Sequence, residues 1–343
     1  MGSLPSDAKL PWIETPCVFS PPISKAAGCN IYLKLDNLQP SGSFKSRGIG
    51  NFMTRAAAAQ PSSGPVRFYC PSGGNAGLAC ATSAVALRQP ATIVVPTLTS
   101  AMMKQKLLDL GVDVVQVGEN FPAADRHCRE ELLAKDPSGI YVHPFDHQHV
   151  WDGAATIVSE ICAQLPDVRV DGIVGSVGGG GMINGIMQGV EAASWPHGPK
   201  PRVLAVETKG CDSLNASVLA GEHVSLPGIS SIATSLGATR VSEQTWRWSQ
   251  AGNMDGVVVT DADAAISCVR FADDARLLVE AACGATLATA YAGYLRLWLG
   301  EGLSDEEWAT KNIVLQVCGG SGVTLEILEE YRKTYAAESS IKV

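Results

Sequence analysis

Lys45 stands in Ser41-Gly-Ser-Phe-Lys-Ser-Arg-Gly48, behind an aromatic ring, among small residues and at the start of a helix-like stretch. A lysine is ordinarily a solvated surface charge. With an apolar neighbour and limited water it shifts toward the neutral amine, the nucleophile that condenses with a carbonyl. Pro71-Ser-Gly-Gly-Asn-Ala-Gly77 lies between a strand-like run ending at Cys70 and a helix-like run. Its main-chain N–H groups, at a helix N-terminus, make a cradle for a carboxylate. The competing reading is a plain strand-to-helix turn with Asn75 as the cap.

Gly178-Gly-Gly-Gly181 also follows a strand-like run, with a helix opening at Met182. Four consecutive glycines cost backbone entropy that a simple turn does not require. They let a phosphate approach the main chain with a helix dipole behind it. No GK[ST] follows, so this is not a Walker loop, and it is not the GxGxxG dinucleotide pattern. Val317-Cys-Gly-Gly-Ser-Gly322 stands after another strand-like run. Cys318 reads either as a small buried hydrophobe or as a neutral group facing a ligand. A reactive lysine, a carboxylate cradle, a phosphate loop and a neutral partner at a strand end together describe a site for pyridoxal 5'-phosphate (PLP).

The elements that must position these residues alternate along the chain. Strand-like runs occupy Ile31–Leu35, Val66–Cys70, Ala91–Val95, Asp113–Val117, Gly172–Ser176, Val203–Glu207, Val257–Val259 and Ile313–Val317. Helix-like runs occupy Asn75–Leu87, Met102–Leu110, Ala123–Ala134, Ala154–Gln164, Ala262–Arg276, Ala285–Leu299 and Thr324–Tyr335. This alternation predicts an α/β fold with parallel sheets wrapped by helices, ligands binding at the carboxyl ends of the strands. Segments 194–201 and 300–305 read as surface loops.

The chain has 343 residues, 46% hydrophobic and 17% charged, which fits a globular protein rather than a disordered one. A net charge of -8 argues against a general nucleic-acid binder. The opening MGSLPSDAKLPW lacks the pattern of a secretory signal, and no apolar run has the length of a membrane span. Ten scattered cysteines without a CxxC pair suit free thiols and a cytoplasmic location.

SGSFKSRG, SGGNAG, VGGGGM and CGGSG resemble the motifs of fold-type II PLP enzymes, the tryptophan synthase β-like group. Their order and spacing are similar to those of the eukaryotic L-serine/L-threonine dehydratases, or serine ammonia-lyases. The stretches Trp12–Thr15, Tyr32-Leu-Lys-Leu and Ala91-Thr-Ile-Val-Val-Pro96 are similar too, so the resemblance covers nearly the whole chain. It implies two open twisted sheets flanked by helices. A large PLP-binding domain would comprise 1–45 plus 142–343, and a small domain 46–141; enzymes of this kind are commonly homodimers.

The resemblance also implies roles. Lys45 would be the catalytic Schiff-base lysine and Phe44 would pack on the cofactor ring. Gly178, Gly179, Gly180 and Gly181 would hold the phosphate, Asn75 the ring hydroxyl, and Cys318 would face the pyridine nitrogen. Ser72, Gly73, Asn75 and Ala76 would bind the carboxylate of a small amino-acid substrate. Glu207, Cys211 and Ser213, with main chain at Leu236 and Ala238, match the region where the family often carries a monovalent cation, K or Na. Cys211 and Pro71 both depart from the small residues expected at their positions. The implied reaction is β-elimination: Lys45 takes the α-proton as general base, the β-hydroxyl leaves, and serine gives pyruvate, or threonine 2-oxobutanoate, with ammonia.

Alternatives stay open. One is a PLP enzyme of the same fold acting on another β-substituted amino acid by β-replacement or racemisation. Related serine racemases place a serine where Gly73 stands, and Gly73 offers no such group. A PLP-binding or amino-acid-sensing protein without catalysis is expected to lose Lys45, which is present. A further alternative is a metal-dependent hydrolase using His143, His147 and His149 in HPFDHQH.

Overall fold

Short apolar runs, the central ones buried on both faces, build two separate sheets. The computed structural model describes residues 10–60 and 64–343. Most of the opening segment, with its lack of a signal pattern, therefore lies outside the described residues. The ten strands are β1 Cys17–Phe19, β2 Asn30–Leu35, β3 Phe68–Cys70, β4 Ala91–Val95, β5 Asp113–Gln116, β6 Ile140–Tyr141, β7 Gly172–Ser176, β8 Arg202–Thr208, β9 Met254–Val259 and β10 Asn312–Val317.

The chain divides into two compact units. The first is Met1–Ile13, where described, with Gln39–Ala154; the second is Glu14–Leu38 with Ala155–Val343. These bounds differ from those the resemblance implies, since 10–13, 39–45 and 142–154 fall with the smaller sheet. Packing explains the grouping. A Cβ on Gly48 would lie 2.7 Å from the Val150 side chain and carbonyl, and one on Gly153 would lie 2.4 Å from the Arg47 carbonyl. Helix Lys45–Ala58 and the first turns of helix Gln148–Gln164 therefore meet backbone to backbone, an approach only glycine permits.

In the first unit the strand order is β5-β4-β3-β6, parallel throughout. Phe68, Ile93 and Val95 are fully buried there and pack with Ile49, Met53 and the alanine-rich helix Asn75–Leu87. In the second unit the order is β1-β2-β10-β7-β8-β9, and only the edge pair β1–β2 is antiparallel. Ile173, Val174, Ile313, Val314 and Leu315 are fully buried, as central parallel strands require.

All eight expected strands form, within three residues at either end. Two expected helices break up. Ala123–Ala134 is α-helical over Phe121–His127, then π-helical over Cys128–Leu132 and 3-10 over Leu133–Lys135. Ala285–Leu299 is two helices, Ala281–Tyr291 and Tyr294–Leu299, parted at Gly293 with φ 83.

Candidate active site

The topology of each unit gathers its candidate residues at the carboxyl ends of its strands. In the first unit the Ser72–Ala76 turn follows β3. Its neighbours in the sheet, β4 and β6, lead into segments 96–99 and 142–149. Ser72 folds back to accept a hydrogen bond from the Gly74 N–H at 3.3 Å. Asn75 is the first residue of its helix and Gly74 is the cap position, so the reading of Asn75 as a side-chain cap does not hold. The first intrahelical bond runs from Leu78 N–H to the Gly74 carbonyl, 3.1 Å. The N–H groups of 75–77 thus lie ahead of the helical ladder, at the positive end of the helix dipole.

Lys45 opens helix Lys45–Ala58 and is half-buried. Its Nζ donates to the Pro144 carbonyl at 2.7 Å and stands 5.1 Å from the centre of the Phe44 ring. The amine is therefore fixed against protein rather than left in bulk water. Pro144 belongs to a pinned segment. Val142 N–H bonds the Tyr69 carbonyl at 2.8 Å, and the Trp151 indole donates to the Phe145 carbonyl at 2.8 Å. His143 Nδ1 accepts from the N–H groups of Asp146 at 2.7 Å and Phe145 at 3.3 Å. Burial first, then the charges of Arg129 and Lys45, push the His143 pKa down to about 4. His147 Nδ1 accepts from the His149 N–H at 3.0 Å. With those nitrogens bonded to main chain, the histidines do not form a metal centre. Among the described residues, no group of three or more His, Cys, Asp or Glu could hold a metal ion. The geometry of the described residues thus gives the hydrolase reading no support.

In the second unit β10, β7 and β8 are adjacent, so their ends bring Cys318, the glycine bend and Glu207 to one edge. The helix after the bend is Gly181–Ala192, one residue earlier than expected. Gly180 has φ 97, and a Cβ there would sit 1.8 Å from Thr245 Oγ1. A closed polar triangle of buried side chains backs the bend. Asn184 Nδ2 donates to Ser242 Oγ at 2.9 Å, Thr245 Oγ1 donates to Asn184 Oδ1 at 2.9 Å, and the two hydroxyls are 2.9 Å apart. Ser242 N–H also bonds the Gly179 carbonyl at 3.0 Å. The result is a bend whose shape is set from behind and which leads directly into the N-terminus of helix Gly181–Ala192.

Cys318 is 5% exposed, its sulfur 3.6 Å from Ser176 Oγ. A hydrogen bond with the Cys283 thiol, together with burial, raises its pKa well above the ordinary range, so it stays a neutral thiol. Glu280 ties the turn after Cys318 to the loop behind the glycine bend. It accepts from the Gly322 N–H at 2.5 Å and from Ser235 Oγ at 2.6 Å.

Glu207 is 2% exposed and accepts main-chain N–H bonds from Leu214 and Asn215, both 2.8 Å. Cys211 pairs back to Thr208, and its thiol donates to the Ala233 carbonyl at 3.8 Å. Ser213 is buried at the start of helix Ser213–Ala220. The turn that carries Leu236 and Ala238 is closed by bonds to Ala233 and Leu236. Glu207 thus meets the start of the helix that carries Ser213, and Cys211 meets the loop that leads to Leu236 and Ala238.

His143 was singled out in the sequence, but for metal ligation rather than for the turn it holds; three contributors were not legible there: Thr99 beside Gly73, Pro144 beside Lys45 and Thr245 behind Gly180. Each acts through a neighbour supplied by another element. The one local signal was Ser242 three residues before Thr245, a helix-cap spacing.

A family model described as pyridoxal-phosphate dependent enzyme matches residues 9–319. The chain is 40% identical over 322 residues to an L-serine dehydratase/L-threonine deaminase of Bos taurus, covering 94% of this chain and 95% of that protein. It is 38% identical over 317 residues to a catabolic L-serine/threonine dehydratase of Saccharomyces cerevisiae, covering 89% and 86%. Among solved structures, a fungal L-serine ammonia-lyase from Rhizomucor miehei superposes with a TM-score of 0.87 at 38% identity, over 95% of this chain and 100% of that one.

Proposed function

The chain belongs to the pyridoxal-phosphate dependent enzyme family, and from that premise we propose that it is a lyase which dehydrates and deaminates L-serine and L-threonine to 2-oxo acids and ammonia. The observation that carries the reading is the half-buried Lys45 amine, held at 2.7 Å by a main-chain carbonyl beside an aromatic ring. The relatives matched over most of their length, named for serine and threonine dehydration, support the substrate class.

The residue types that each unit carries suit separate parts of the cofactor. Gly178–Gly181, at a helix N-terminus, suits a phosphate dianion. Cys318 suits a ring nitrogen that carries no full charge, and Asn75 a ring hydroxyl. Phe44 offers an apolar face. Bound PLP supplies an electron sink conjugated to the substrate nitrogen, which weakens the bond to the α-hydrogen.

The chain's own groups do the rest. Ser72, Gly73, Asn75 and Ala76 hold the substrate carboxylate on main-chain N–H groups and the helix dipole. Lys45 would bond the cofactor, and its free amine would take the α-proton onto Nζ. The Pro144 carbonyl then accepts a hydrogen bond from the ammonium. Because Cys318 remains a neutral thiol, no fixed negative charge accumulates beside the ring nitrogen, which favours prompt loss of the β-hydroxyl; it leaves as water by taking the proton that Lys45 Nζ removed from the α-carbon.

Glu207 is buried, burial pushes its pKa up to about 8, and no cationic side chain is paired to it among the described residues. A monovalent cation held by Glu207, Cys211, Ser213 and the carbonyls of Leu236 and Ala238 would supply the missing charge. Ten free thiols suit a reducing, cytoplasmic setting, and a homodimer is the proposed assembly. No helix of the described residues is long and apolar enough to cross a membrane.

The test is direct. Keto-acid and ammonia release is measured over a panel of β-hydroxy and β-substituted amino acids, with added K or Na. Release from serine or threonine supports the reading. Turnover confined to β-replacement or racemisation would overturn it.

A further inference from the structure

We infer that His143 is a positioning residue for Lys45: its ring nitrogen fixes the turn that presents the Pro144 carbonyl to the lysine amine. The inference rests on the proposed role of Lys45.

The geometry lies within one unit. His143 directly follows the short strand β6 and Val142. Its Nδ1 accepts two consecutive main-chain N–H groups, Phe145 at 3.3 Å and Asp146 at 2.7 Å. This is the arrangement a short polar side chain makes when it imitates a backbone turn. The residue inside that turn is Pro144, buried, and its carbonyl accepts from Lys45 Nζ at 2.7 Å. Proline's fixed φ stiffens the turn further. Two edge-on aromatic contacts, Tyr141 at 6.1 Å and Phe145 at 4.8 Å between ring centres, hold the imidazole plane. Nδ1 can serve as acceptor only while it carries no proton, so the working tautomer is the one protonated at Nε2.

The charged and titratable groups acting on the ring are Arg129, Lys45, Asp125 and His147. Burial, Arg129 and Lys45 push its pKa down to about 4, so the ring stays neutral above pH 6 and the turn stays closed. An acceptor carbonyl favours the protonated amine over the neutral one, because a charge-assisted hydrogen bond is the stronger. The device therefore steadies Lys45 in its proton-carrying form, the form it must take after removing the α-proton.

Asparagine places an oxygen near the Nδ1 position, whereas glutamine reaches toward Nε2 instead. The test compares His143→Asn, His143→Gln and, should Gln fold poorly, His143→Phe, which keeps the ring contacts without the acceptor. Full-length protein is incubated with PLP, reduced with borohydride across a pH series and peptide-mapped. The readout is the pH at which trapping at Lys45 reaches half its plateau. Expected is a midpoint lower by about one pH unit for Gln and Phe, with Asn restoring the wild-type midpoint. Unchanged midpoints for Gln and Phe, with Lys45 still the trapped residue, would overturn the inference alone. Trapping at another lysine in the wild type, or undiminished trapping in Lys45→Ala, would overturn the role of Lys45 itself.

Discussion

Thr99 occupies the space that a side chain at Gly73 would fill: a Cβ on Gly73 would lie 2.5 Å from Thr99 Oγ1 and 2.7 Å from its methyl. The two residues come from turns after the adjacent strands β3 and β4. The cradle is thus closed on this side by a residue 26 positions away, a distance in sequence that leaves no local signature. Gly73→Ser alone must push Thr99 aside, at about 1–3 kcal/mol for overpacking. We expect a lower unfolding midpoint and reduced turnover for the single variant. Gly73→Ser with Thr99→Ala should recover the midpoint and show more serine racemisation than either single variant. Chiral chromatography of product mixtures reads the second effect; equal racemisation in the single and double variants would refute the blocking role of Thr99.

Lys45→Ala should abolish turnover and borohydride-trapped cofactor while leaving the fold intact. The side chain is half-buried, and its hydrogen bond to Pro144 ends on a backbone carbonyl, not on a buried charge. Its loss therefore costs stability on the order of 1 kcal/mol. Far-UV circular dichroism and the unfolding midpoint check the fold. Residual turnover of wild-type size would remove Lys45 from the chemistry.

Gly180→Ala should weaken PLP binding by at least about tenfold, because two penalties act at one atom. A residue with a Cβ is strained at φ 97, and that Cβ would collide with Thr245 Oγ1 at 1.8 Å. Gly221→Ala is the control: φ is 69 and no atom lies within 4 Å of its Cβ, so it carries strain without collision. Fluorescence titration with PLP should separate the two, the control binding as wild type. Wild-type affinity in Gly180→Ala would mean that the bend does not form the phosphate seat.

The glycine clusters and the helix-opening lysine were legible because each is local: small residues at a strand-to-helix junction announce themselves whatever the tertiary fold. The central strands were legible for a related reason, since Val-Val and Ile-Val runs buried on both faces have no other stable home. What escaped depends on context. β1 and β6 have three and two residues, too few for any periodicity. The break at Gly293 sits inside an unbroken apolar pattern, Ala285 to Leu299, that continues on either side of it. Thr99, Pro144 and Thr245 matter through what lies beside them, and only sheet order and loop closure put it there; His143 was visible in the sequence, but its turn-holding role was not.

The pH dependence of stability offers a check on His143 that involves no cofactor. Its ordinary pKa near 6.5 falls to about 4 in the folded chain, from burial first and then Arg129 and Lys45. Between those values the unfolded chain binds more protons than the folded one, so stability rises with pH across the window and falls on acidification from about 6.5 toward 4. Each pH unit separating the folded and unfolded values corresponds to about 1.4 kcal/mol. Partial exposure of the ring reduces the total to roughly 1–2 kcal/mol. His147, also lowered mainly by burial, acts in the same direction. Urea unfolding at pH 7 and pH 5 should therefore show a larger loss for the wild type than for His143→Asn, which carries no titrating group there but keeps the turn. The same loss in both proteins would mean that the ring is not held neutral by the fold.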